Sequence, residues 1–300
     1  MPDFDLSITI CSWNTRNDLR ECLASLGKVR DEANFEVIVL DNASDDGSPD
    51  MVQHEYPWVH LMRRDENLGF GAGHNRAMRE AGGALVMPLN SDTIVHEGAI
   101  RAIVKFMEEK PDVGVLGPKL LNPDGSLQYS CRRFPTPMAA LFRNTPLGRL
   151  FPNNRFSRDY LMQDWLHDEP RDVDWVSAAA VCIRRAVYEK IGGFDERFFM
   201  YMEDVDLCFR VWKAGYRVTY FPGAVITHAI GRSTDIAANK MIRQFHHSMM
   251  LFYKKHHLPS MPLLLRPLAV GSAAVMLWLR RTVLIAKNRL DEWKRRTGRL

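Results

Sequence analysis

The first forty residues alternate between strand and helix patterns, and this alternation limits the fold more than any other feature. Segments 6–11 and 35–40 are short apolar runs bounded by polar turns, which is typical of buried strands. Between them, apolar residues recur at the i, i+3, i+4 and i+7 spacing of an amphipathic helix: Leu19, Cys22, Leu23 and Leu26. Strand, helix and strand in this order form a βαβ unit. The sequence therefore predicts an α/β fold with a mostly parallel sheet.

Another apolar run, from Ala84 to Leu89, ends in the tripeptide Asn90-Ser91-Asp92. Open α/β sheets present ligand-binding groups at the carboxyl ends of their strands. Asn90 and Asp92 point the same way on an extended backbone, and such a pair is able to hold a divalent cation against a diphosphate. An Asx turn that only closes the strand is the alternative.

Polar residues also follow the second strand, from Asp41 to Ser48. A carboxylate at that strand end accepts hydrogen bonds from ribose hydroxyls or from a base N–H, whereas it repels phosphate. A solvated loop with a helix cap explains the same residues equally well. This position therefore predicts either a nucleotide contact or a capped turn.

Three glycines, Gly69, Gly71 and Gly73, follow a short third strand at 59–62. Their spacing is not that of a dinucleotide fingerprint, and they do not follow the first strand. They indicate instead that the backbone approaches another surface closely, with Asn67 and Asn75 as neutral hydrogen-bonding neighbours. A helix at 97–110 and a strand at 113–116 then complete the first half of the chain.

Periodicity is weak between residues 119 and 174, so we assign no elements there and expect a lid over an acceptor site. Segments 175–183, 216–221 and 225–228 each predict a strand, and 184–191 predicts a helix. The last strand ends at His228, which by itself is an ordinary polar terminus.

Carboxylates cluster at Glu203, Asp204 and Asp206, in the first turn of a predicted helix. The helix dipole favours negative charge at that end, which is one explanation. A general base held behind aromatic residues, here Phe198, Phe199 and Tyr201, is the other.

The five cysteines are scattered and odd in number, which indicates reduced thiols in a cytosolic setting and argues against a structural zinc site. No signal peptide is visible at the start. The net charge of +4 is uneven, because residues 254–300 contain 11 Lys and Arg against 2 acids. The basic charge therefore belongs to the tail.

Residues 267–279 form an apolar run of 13 residues, which is shorter than a membrane span. Basic residues and two tryptophans, Trp278 and Trp293, accompany it, so we predict a helix that lies at a membrane surface. A buried core helix and a dimer contact are the alternatives. Nucleic-acid binding is disfavoured, because the basic residues alternate with aliphatic ones and not with a stacking platform.

Taken in order, the motifs resemble glycosyltransferase family 2 over about residues 6 to 233. Within it, Gly192 to Leu207 is similar to the rhamnosyltransferase-like members that build bacterial surface polysaccharide. Two positions depart from the family pattern: Cys11 replaces the usual proline, and Asn90 replaces the first Asp of D-x-D. The motifs that carry the resemblance are Ile8-Thr9-Ile10-Cys11-Ser12-Trp13-Asn14, Asp41-Asn42-Ala43-Ser44, Asn67-Leu68-Gly69-Phe70-Gly71, Leu89-Asn90-Ser91-Asp92, Glu203-Asp204 and His228.

The resemblance implies a GT-A fold: a Rossmann-like nucleotide-binding half (1–118) fused to an acceptor-binding half (119–233) over one sheet, followed by a helical tail (234–300). By this analogy Asp92 and His228 hold Mg²⁺ or Mn²⁺, and Trp175 and Tyr201 contact the acceptor. The residues that would line the donor site are Ser12, Asn14, Asp41, Ser44, Asn67, Gly69, Phe70, Asn75, Asn90 and Arg232.

The resemblance also implies an inverting, metal-dependent transfer from a nucleoside-diphosphate sugar. Asp204 would take the proton from the acceptor hydroxyl, and Glu203 would orient it. The implied donor is dTDP-rhamnose, and the implied acceptor is a glycan or a polyprenyl-linked glycan. The enzyme would then be cytoplasmic, peripheral on the inner face of the cytoplasmic membrane, with a homodimer left open.

Two other functions remain open on the sequence alone. A nucleotidyltransferase would want a lysine- and glycine-rich phosphate loop after the first strand, and Ser12-Trp13-Asn14 is not one. A non-catalytic sugar-nucleotide or glycan-binding protein would not need Asp92, Asp204 and His228 together.

Overall fold

The computed structural model describes residues 2–142, 146–229 and 238–296. Its contacts divide the chain into two compact units, which we describe separately. Unit 1 comprises Met1–Glu196 and Asp204–Ile230, and unit 2 comprises Arg197–Glu203 and Gly231–Leu300. The short segment before Asp204 thus groups with the C-terminal helices.

The strands are β1 Phe4–Ser12, β2 Phe35–Asn42, β3 His60–Arg64, β4 Gly83–Asn90, β5 Thr93–Val95, β6 Val113–Leu121, β7 Leu127–Gln128, β8 Cys131–Arg132, β9 Arg171–Asp172, β10 Trp175–Val176, β11 Cys182–Arg184 and β12 Arg217–His228. The helices are α1 Arg16–Lys28, α2 Ser48–Glu55, α3 Phe70–Met78, α4 Ala99–Glu109, α5 Pro137–Phe142, α6 Pro146–Leu150, α7 Arg155–Leu161, α8 Arg185–Ile191, α9 Glu203–Lys213, α10 Ala238–Phe252 and α11 Arg266–Arg296.

The main sheet has the order β3-β2-β1-β4-β11-β6-β12-β5. It is parallel from β3 to β4, as the βαβ pattern predicts. Beyond β4 it is mixed, because β11 runs antiparallel to both β4 and β6, while β12 is parallel to β6 and antiparallel to β5. The parallel part therefore forms one end of a mixed sheet.

The second half differs from the prediction in two places. Segment 175–183 is not one strand: β10 pairs with β8 in a separate small sheet, β11 joins the main sheet, and small residues between them form a turn. Conversely, the two strands predicted at 216–228 are the single strand β12, with an irregularity between Phe221 and Val225. Periodicity missed both because pairing partners, and not local pattern, decide where a strand continues.

Both faces of the parallel sheet are buried. On one face, the apolar residues of β1 meet the buried stripe of α1 that the spacing predicts: Leu19, Cys22, Leu23 and Leu26. On the other face, the hydroxyl of Thr9 lies 2.9 Å from Nδ1 of His74 on α3. At Gly73 on α3 a Cβ would come within 2.8 Å of the sulfur of Cys11 on β1. The glycine run thus lets α3 approach the sheet closely.

In unit 2, α10 and α11 form an antiparallel pair. The amide of Asn288 donates to Asn239 at 3.1 Å, and a guanidinium nitrogen of Arg280 lies 3.8 Å from the sulfur of Met249. A π turn at Tyr253–His257 and 3-10 turns at Leu258–Ser260 and Leu263–Leu265 join the two helices. Helix α11 is much longer than the apolar run at 267–279 from which the sequence predicts it.

Burial lowers the pKa of His74 to about 3, well below the ordinary value of 6.5, so the folded protein keeps this ring neutral. The stabilisation is present above the unfolded pKa and is lost as the pH falls. Between about pH 7 and pH 5 we expect His74 to cost the protein about 2 kcal/mol of unfolding free energy. His74→Gln removes this term, and urea unfolding at both pH values should show a smaller acid-induced loss for the variant. Equal losses would contradict the buried, neutral ring.

Candidate active site

The register of the parallel strands brings three predicted site residues to one edge of the sheet. Ser12 at the end of β1 pairs with Asp41 at the end of β2, and Cys11 pairs with Asn90 at the end of β4. Parallel strands point their carboxyl ends the same way, so residues from three separate motifs lie side by side. This edge is the candidate active site.

The loops after β1 and β2 are tied to each other. The backbone N–H of Asn14 donates to the Ser44 hydroxyl at 3.0 Å, and the side-chain oxygen of Asn14 accepts from the N–H of Asp45 at 2.9 Å. Asn14 and Ala43 both have left-handed backbones, with φ of 53° and 63°. Asn14 and Ser44 therefore tie the two loops together through hydrogen bonds between side chain and backbone.

One carboxylate oxygen of Asp41 is hydrogen-bonded within the described part of the protein, and the other is not. Its Oδ2 accepts from the N–H of Ser44 at 3.0 Å. Its Oδ1 is buried and has no hydrogen-bond partner among the described residues. A buried acceptor without a partner is costly, and a base N–H or a ribose hydroxyl is the kind of group that would satisfy it.

Ser12 takes part in a chain of buried hydroxyls. Its Oγ lies 2.9 Å from that of Thr15, which donates to Ser91 at 2.9 Å. The chain connects the loop after β1 to the one after β4. Ser12 thus fixes two of the ligand-facing loops relative to each other.

The asparagines around the glycine run have different surroundings. Asn67 caps the turn into α3 by accepting from the N–H of Gly69 at 2.9 Å, and Gly69 has φ of 82°. Phe70 packs on the ring of His74 at 4.4 Å. The side-chain amide of Asn75 makes all its hydrogen bonds to the 188–196 segment. The groups that bond to its amide are Phe194 O, Phe194 N–H, the Glu196 carboxylate and the Tyr188 hydroxyl. Asn75 has no hydrogen-bonding capacity left for a nucleotide.

His228 and Asp92 lie together, although 136 positions separate them in the sequence. Strand β12 pairs antiparallel with β5 so that His228 faces Thr93. Nε2 of His228 is 3.3 Å from Oδ1 of Asp92 and 3.2 Å from Nδ2 of Asn90. Both Asp92 and His228 are largely buried, at 10% and 12% exposed.

Gln128 sets the tautomer of His228. The two protons of its amide go to the Asn122 side chain at 2.9 Å and to the main-chain carbonyl of His228 at 3.0 Å. Its Oε1 therefore faces the ring, 2.7 Å from Nδ1, and accepts the ring proton there. In the neutral ring Nε2 then carries no proton, and it faces the carboxylate of Asp92 and the amide of Asn90. This is the tautomer that ligates metals.

The donor set fits a divalent cation whose coordination is completed by a ligand. A carboxylate oxygen and an imidazole nitrogen 3.3 Å apart are spaced like neighbouring ligands on one ion. In the part of the chain that the structure describes, no group of three or more His, Cys, Asp or Glu is placed to hold a metal. A cation held here would have Asp92 and His228 as ligands, with the remaining positions open to substrate oxygens or water.

Asp204 is connected to the same edge through one short segment. The N–H groups of Ala178 and, at 2.8 Å, of Val205 donate to its carboxylate. The next residue, Ala179, accepts from the N–H of Asn90 at 2.8 Å. Removal from water raises the pKa of Asp204 above its usual range, and the two N–H groups and the charge of Arg132 oppose that rise only in part. A carboxylate in such surroundings is a candidate general base.

Gln128 and Arg132 are the functional candidates that sequence reasoning missed. The guanidinium of Arg132 lies 5.2 Å from the Trp175 ring centre, and its Nε is buried without a hydrogen-bond partner among the described residues. Both residues fall in the stretch 119–174, where no periodicity pointed to them. Pairing of β7 with β6 brings Gln128 to the site, and pairing of β8 with β10 brings Arg132 there. The local sequence pattern contains no signal for either pairing.

The other predicted residues are placed as follows. Trp175 is 6% exposed, and its indole N–H donates to a main-chain carbonyl at 2.8 Å, so it supports β8. Arg232 lies outside the described residues. In unit 2, Glu203 is buried at the start of α9, and Tyr201, with φ of 67°, packs edge-on against Phe245 at 5.6 Å.

Comparison with known proteins agrees with this geometry. The family model described as "Glycosyltransferase like family 2" matches residues 2–246. N-acetylglucosaminyl-diphospho-decaprenol L-rhamnosyltransferase of Mycobacterium tuberculosis is 32% identical over 263 residues, which cover 84% of this chain and 85% of that protein. Rhamnosyltransferase WbbL of Escherichia coli K12 is 26% identical over 229 residues, covering 74% and 82%.

Solved structures confirm the predicted GT-A type α/β fold. The mannosyltransferase PcManGT of Pyrobaculum calidifontis, solved with GDP-Man and Mn²⁺, aligns with a TM-score of 0.58 at 18% identity, covering 97% of this chain and 77% of that one. TarS 1–349 of S. aureus aligns with a TM-score of 0.53 at 15% identity, covering 95% and 91%. The family match and the identity to the mycobacterial enzyme show that this chain belongs to glycosyltransferase-like family 2.

Proposed function

We propose that this protein transfers L-rhamnose from dTDP-rhamnose to a hydroxyl of a lipid-linked glycan, with a divalent cation at Asp92 and His228. Family membership makes the protein an inverting glycosyltransferase and sets aside a nucleotidyltransferase or a non-catalytic binding protein. The donor, the acceptor, the metal and the residue roles are what the proposal adds. The names of the mycobacterial and E. coli relatives, both rhamnosyltransferases, support the sugar and the class of acceptor.

The observation that carries the proposal is the connection of Asp204 to the sheet edge. Asp204 and Asn90 bond to adjacent residues, Ala178 and Ala179. A base on this segment and a diphosphate held at Asp92 would lie at neighbouring positions. Direct displacement at a sugar carbon needs this arrangement, with the acceptor and the leaving group on opposite sides of the sugar.

On the donor side, the open oxygen of Asp41 would accept the N–H of a pyrimidine base such as thymine. The diphosphate would lie toward Asn90 and Asp92, away from this carboxylate. A divalent cation bound there supplies positive charge to the diphosphate leaving group. The imidazole of His228 favours Mn²⁺ over Mg²⁺ as that cation.

On the acceptor side, Asp204 would take the proton from the attacking hydroxyl as its oxygen bonds to the anomeric carbon of the sugar. The bond from that carbon to the diphosphate breaks in the same step, and the diphosphate leaves with its electron pair. The raised pKa of Asp204 makes it a stronger base than an ordinary aspartate. The charge of Arg132 would favour the ionised form of Asp204 and so oppose part of this rise.

The C-terminal helix supports a location at the membrane. The stretch Leu263–Leu290 is long and apolar enough to cross a bilayer by length and composition, and 6% of its most apolar window is buried. We place the helix on the inner surface of the cytoplasmic membrane, since basic residues are interspersed with its exposed apolar ones. A polyprenyl-linked acceptor would be reached from that surface.

A panel of nucleotide sugars, measured by thermal shift with and without Mn²⁺, tests the donor. We expect dTDP-rhamnose to give the largest stabilisation and to require the metal for it. In Asp92→Ala we expect dTDP-rhamnose to give no stabilisation with or without Mn²⁺, because donor binding is lost. A larger shift with a different nucleotide sugar would refute the assigned donor. Normal metal-dependent binding by Asp92→Ala would refute the metal role.

Asp204→Asn tests the base. Donor affinity should stay near the wild-type value, while turnover should fall by about 10²- to 10⁴-fold, the usual contribution of a positioned base. Because the pKa of Asp204 is raised, wild-type kcat/KM should also decline as the pH falls through that pKa, since protonation removes the base. Asp168→Asn, an exposed aspartate, is the control. A variant with normal turnover would place the base elsewhere.

Gln128→Leu tests the tautomer of His228. Without an acceptor at Nδ1, we expect Mn²⁺-dependent donor binding to weaken by about 10- to 100-fold, the usual effect of losing such a partner. Gln128→Glu retains an oxygen opposite Nδ1 and should bind closer to wild type. Calorimetric titration of donor at several Mn²⁺ concentrations separates the two. Identical titrations for the leucine variant and wild type would remove Gln128 from the site.

Flotation with vesicles tests the membrane contact. The triple variant Leu268→Ser, Leu279→Ser, Val283→Ser removes part of the exposed apolar face of α11 and should float less than wild type. Leu166→Ser, which changes a leucine that is 83% exposed in unit 1, is the control. A wild-type protein that stays in the unbound fraction with every vesicle would contradict the membrane location.

A further inference from the structure

A basic cavity lies between α10 and α11 in unit 2. Its volume is about 430 Å³. The residues that line it are Arg243, Arg281, Thr282, Ile285, Ala286 and Arg289. Three arginines, one hydroxyl and two small apolar side chains surround it, and the lining contains no carboxylate.

Helix geometry explains why the arginines meet. Arg281, Ile285 and Arg289 are spaced four apart on α11, so they form one stripe along the helix. Arg243 comes from α10, whose antiparallel packing places it opposite the middle of that stripe. The three guanidiniums therefore converge from two helices around an aliphatic wall.

The positive charge in this cavity has no acidic partner among the side chains that the structure describes. Within residues 2–142, 146–229 and 238–296, the structure shows no ion pair or hydrogen bond from the side chains of Arg243, Arg281 or Arg289. Burial lowers the pKa of His246 on α10; its hydrogen bond to the Ile242 carbonyl opposes that shift, and the charges of Arg280 and Arg281 add to it. Arginines gathered without a carboxylate attract an anion, and the planar fork of each one matches the oxygens of a phosphate.

The neighbouring face of α11 indicates which phosphate fits. Large apolar side chains that are roughly half or more exposed recur at spacings of seven and four on one stripe: Leu268, Val275, Leu279, Val283 and Leu290. The buried Leu277 lies on the opposite side of the helix. The arginine stripe runs between these two faces. A helix with its exposed face in the acyl region of a bilayer would hold this stripe at the level of the headgroups.

We infer that Arg243, Arg281 and Arg289 form a binding site for the headgroup phosphate of an anionic membrane phospholipid. The inference rests on the membrane contact proposed above and goes beyond it, because it assigns the contact a specific site. A diffuse basic surface needs only charge, whereas this cavity requires guanidinium groups at three positions. Replacing arginine by lysine preserves charge and removes the fork, so it separates the two cases.

Vesicle flotation with phosphatidylcholine, with and without phosphatidylglycerol, tests the site. The triple variant Arg243→Lys, Arg281→Lys, Arg289→Lys should lose about tenfold in affinity for phosphatidylglycerol vesicles, the effect of losing one charge-assisted hydrogen bond. The matched control is Lys240→Arg, Lys254→Arg, Lys287→Arg, which changes three exposed lysines outside the cavity. The control should bind as wild type does, and circular dichroism checks that both variants fold.

Two results would overturn the inference. If the lysine variant binds phosphatidylglycerol vesicles as wild type does, the contact needs only diffuse charge. If inorganic pyrophosphate binds with arginine dependence in calorimetry while vesicle binding does not depend on the arginines, the site takes a free anion. Transfer to a soluble acceptor analogue is measured in parallel. If the lysine variant transfers the sugar at the normal rate, the proposed reaction does not depend on the lipid site, and the two proposals are tested separately.

Discussion

The pairing of β12 with β5 is the contact on which the candidate site depends. It brings His228 beside Thr93 and so places its ring within 3.3 Å of Asp92. Neither residue is a site alone, because a single imidazole or carboxylate at a strand end is an ordinary polar terminus. Antiparallel pairing of a late strand with an early one brings the two side chains together. Gln128, on a third strand, then holds the ring in the metal-binding tautomer.

Some polar residues at this edge have all their hydrogen-bonding groups occupied by the protein, whereas others still have a group available to a ligand. Asn75 is saturated by protein partners, and the Ser12 hydroxyl is hydrogen-bonded to that of Thr15, so both residues hold loops in place. Asp41 has an open buried oxygen, and Nε2 of His228 lies 3.3 Å from Oδ1 of Asp92 and 3.2 Å from Nδ2 of Asn90. Buried polar groups without partners are uncommon in folded proteins. Open groups at the carboxyl edge of a sheet are therefore where a substrate is expected.

The helix pair of unit 2 has one face that packs within the unit and one apolar face that is exposed. Its helices α10 and α11 pack together on one side, and α11 exposes a stripe of large apolar residues on the other. The arginine cavity lies along the boundary between them. Unit 2 also includes Arg197–Glu203, where Ser248 on α10 donates to the carbonyl of Met200 at 2.9 Å. Within unit 2, α10 thus contacts the 197–203 segment as well as α11.

The amino-acid sequence alone determined the parallel strands, the helix stripe of α1 and the polar residues that end β1, β2 and β4. Those features follow from local periodicity, and βαβ connectivity sends all three strand ends to one edge. Only the tertiary structure decided that Asp92 meets His228, that Gln128 orients it, and that Arg243 faces Arg281 and Arg289. These contacts join residues far apart in the chain, and no local pattern encodes which distant strands or helices will pair.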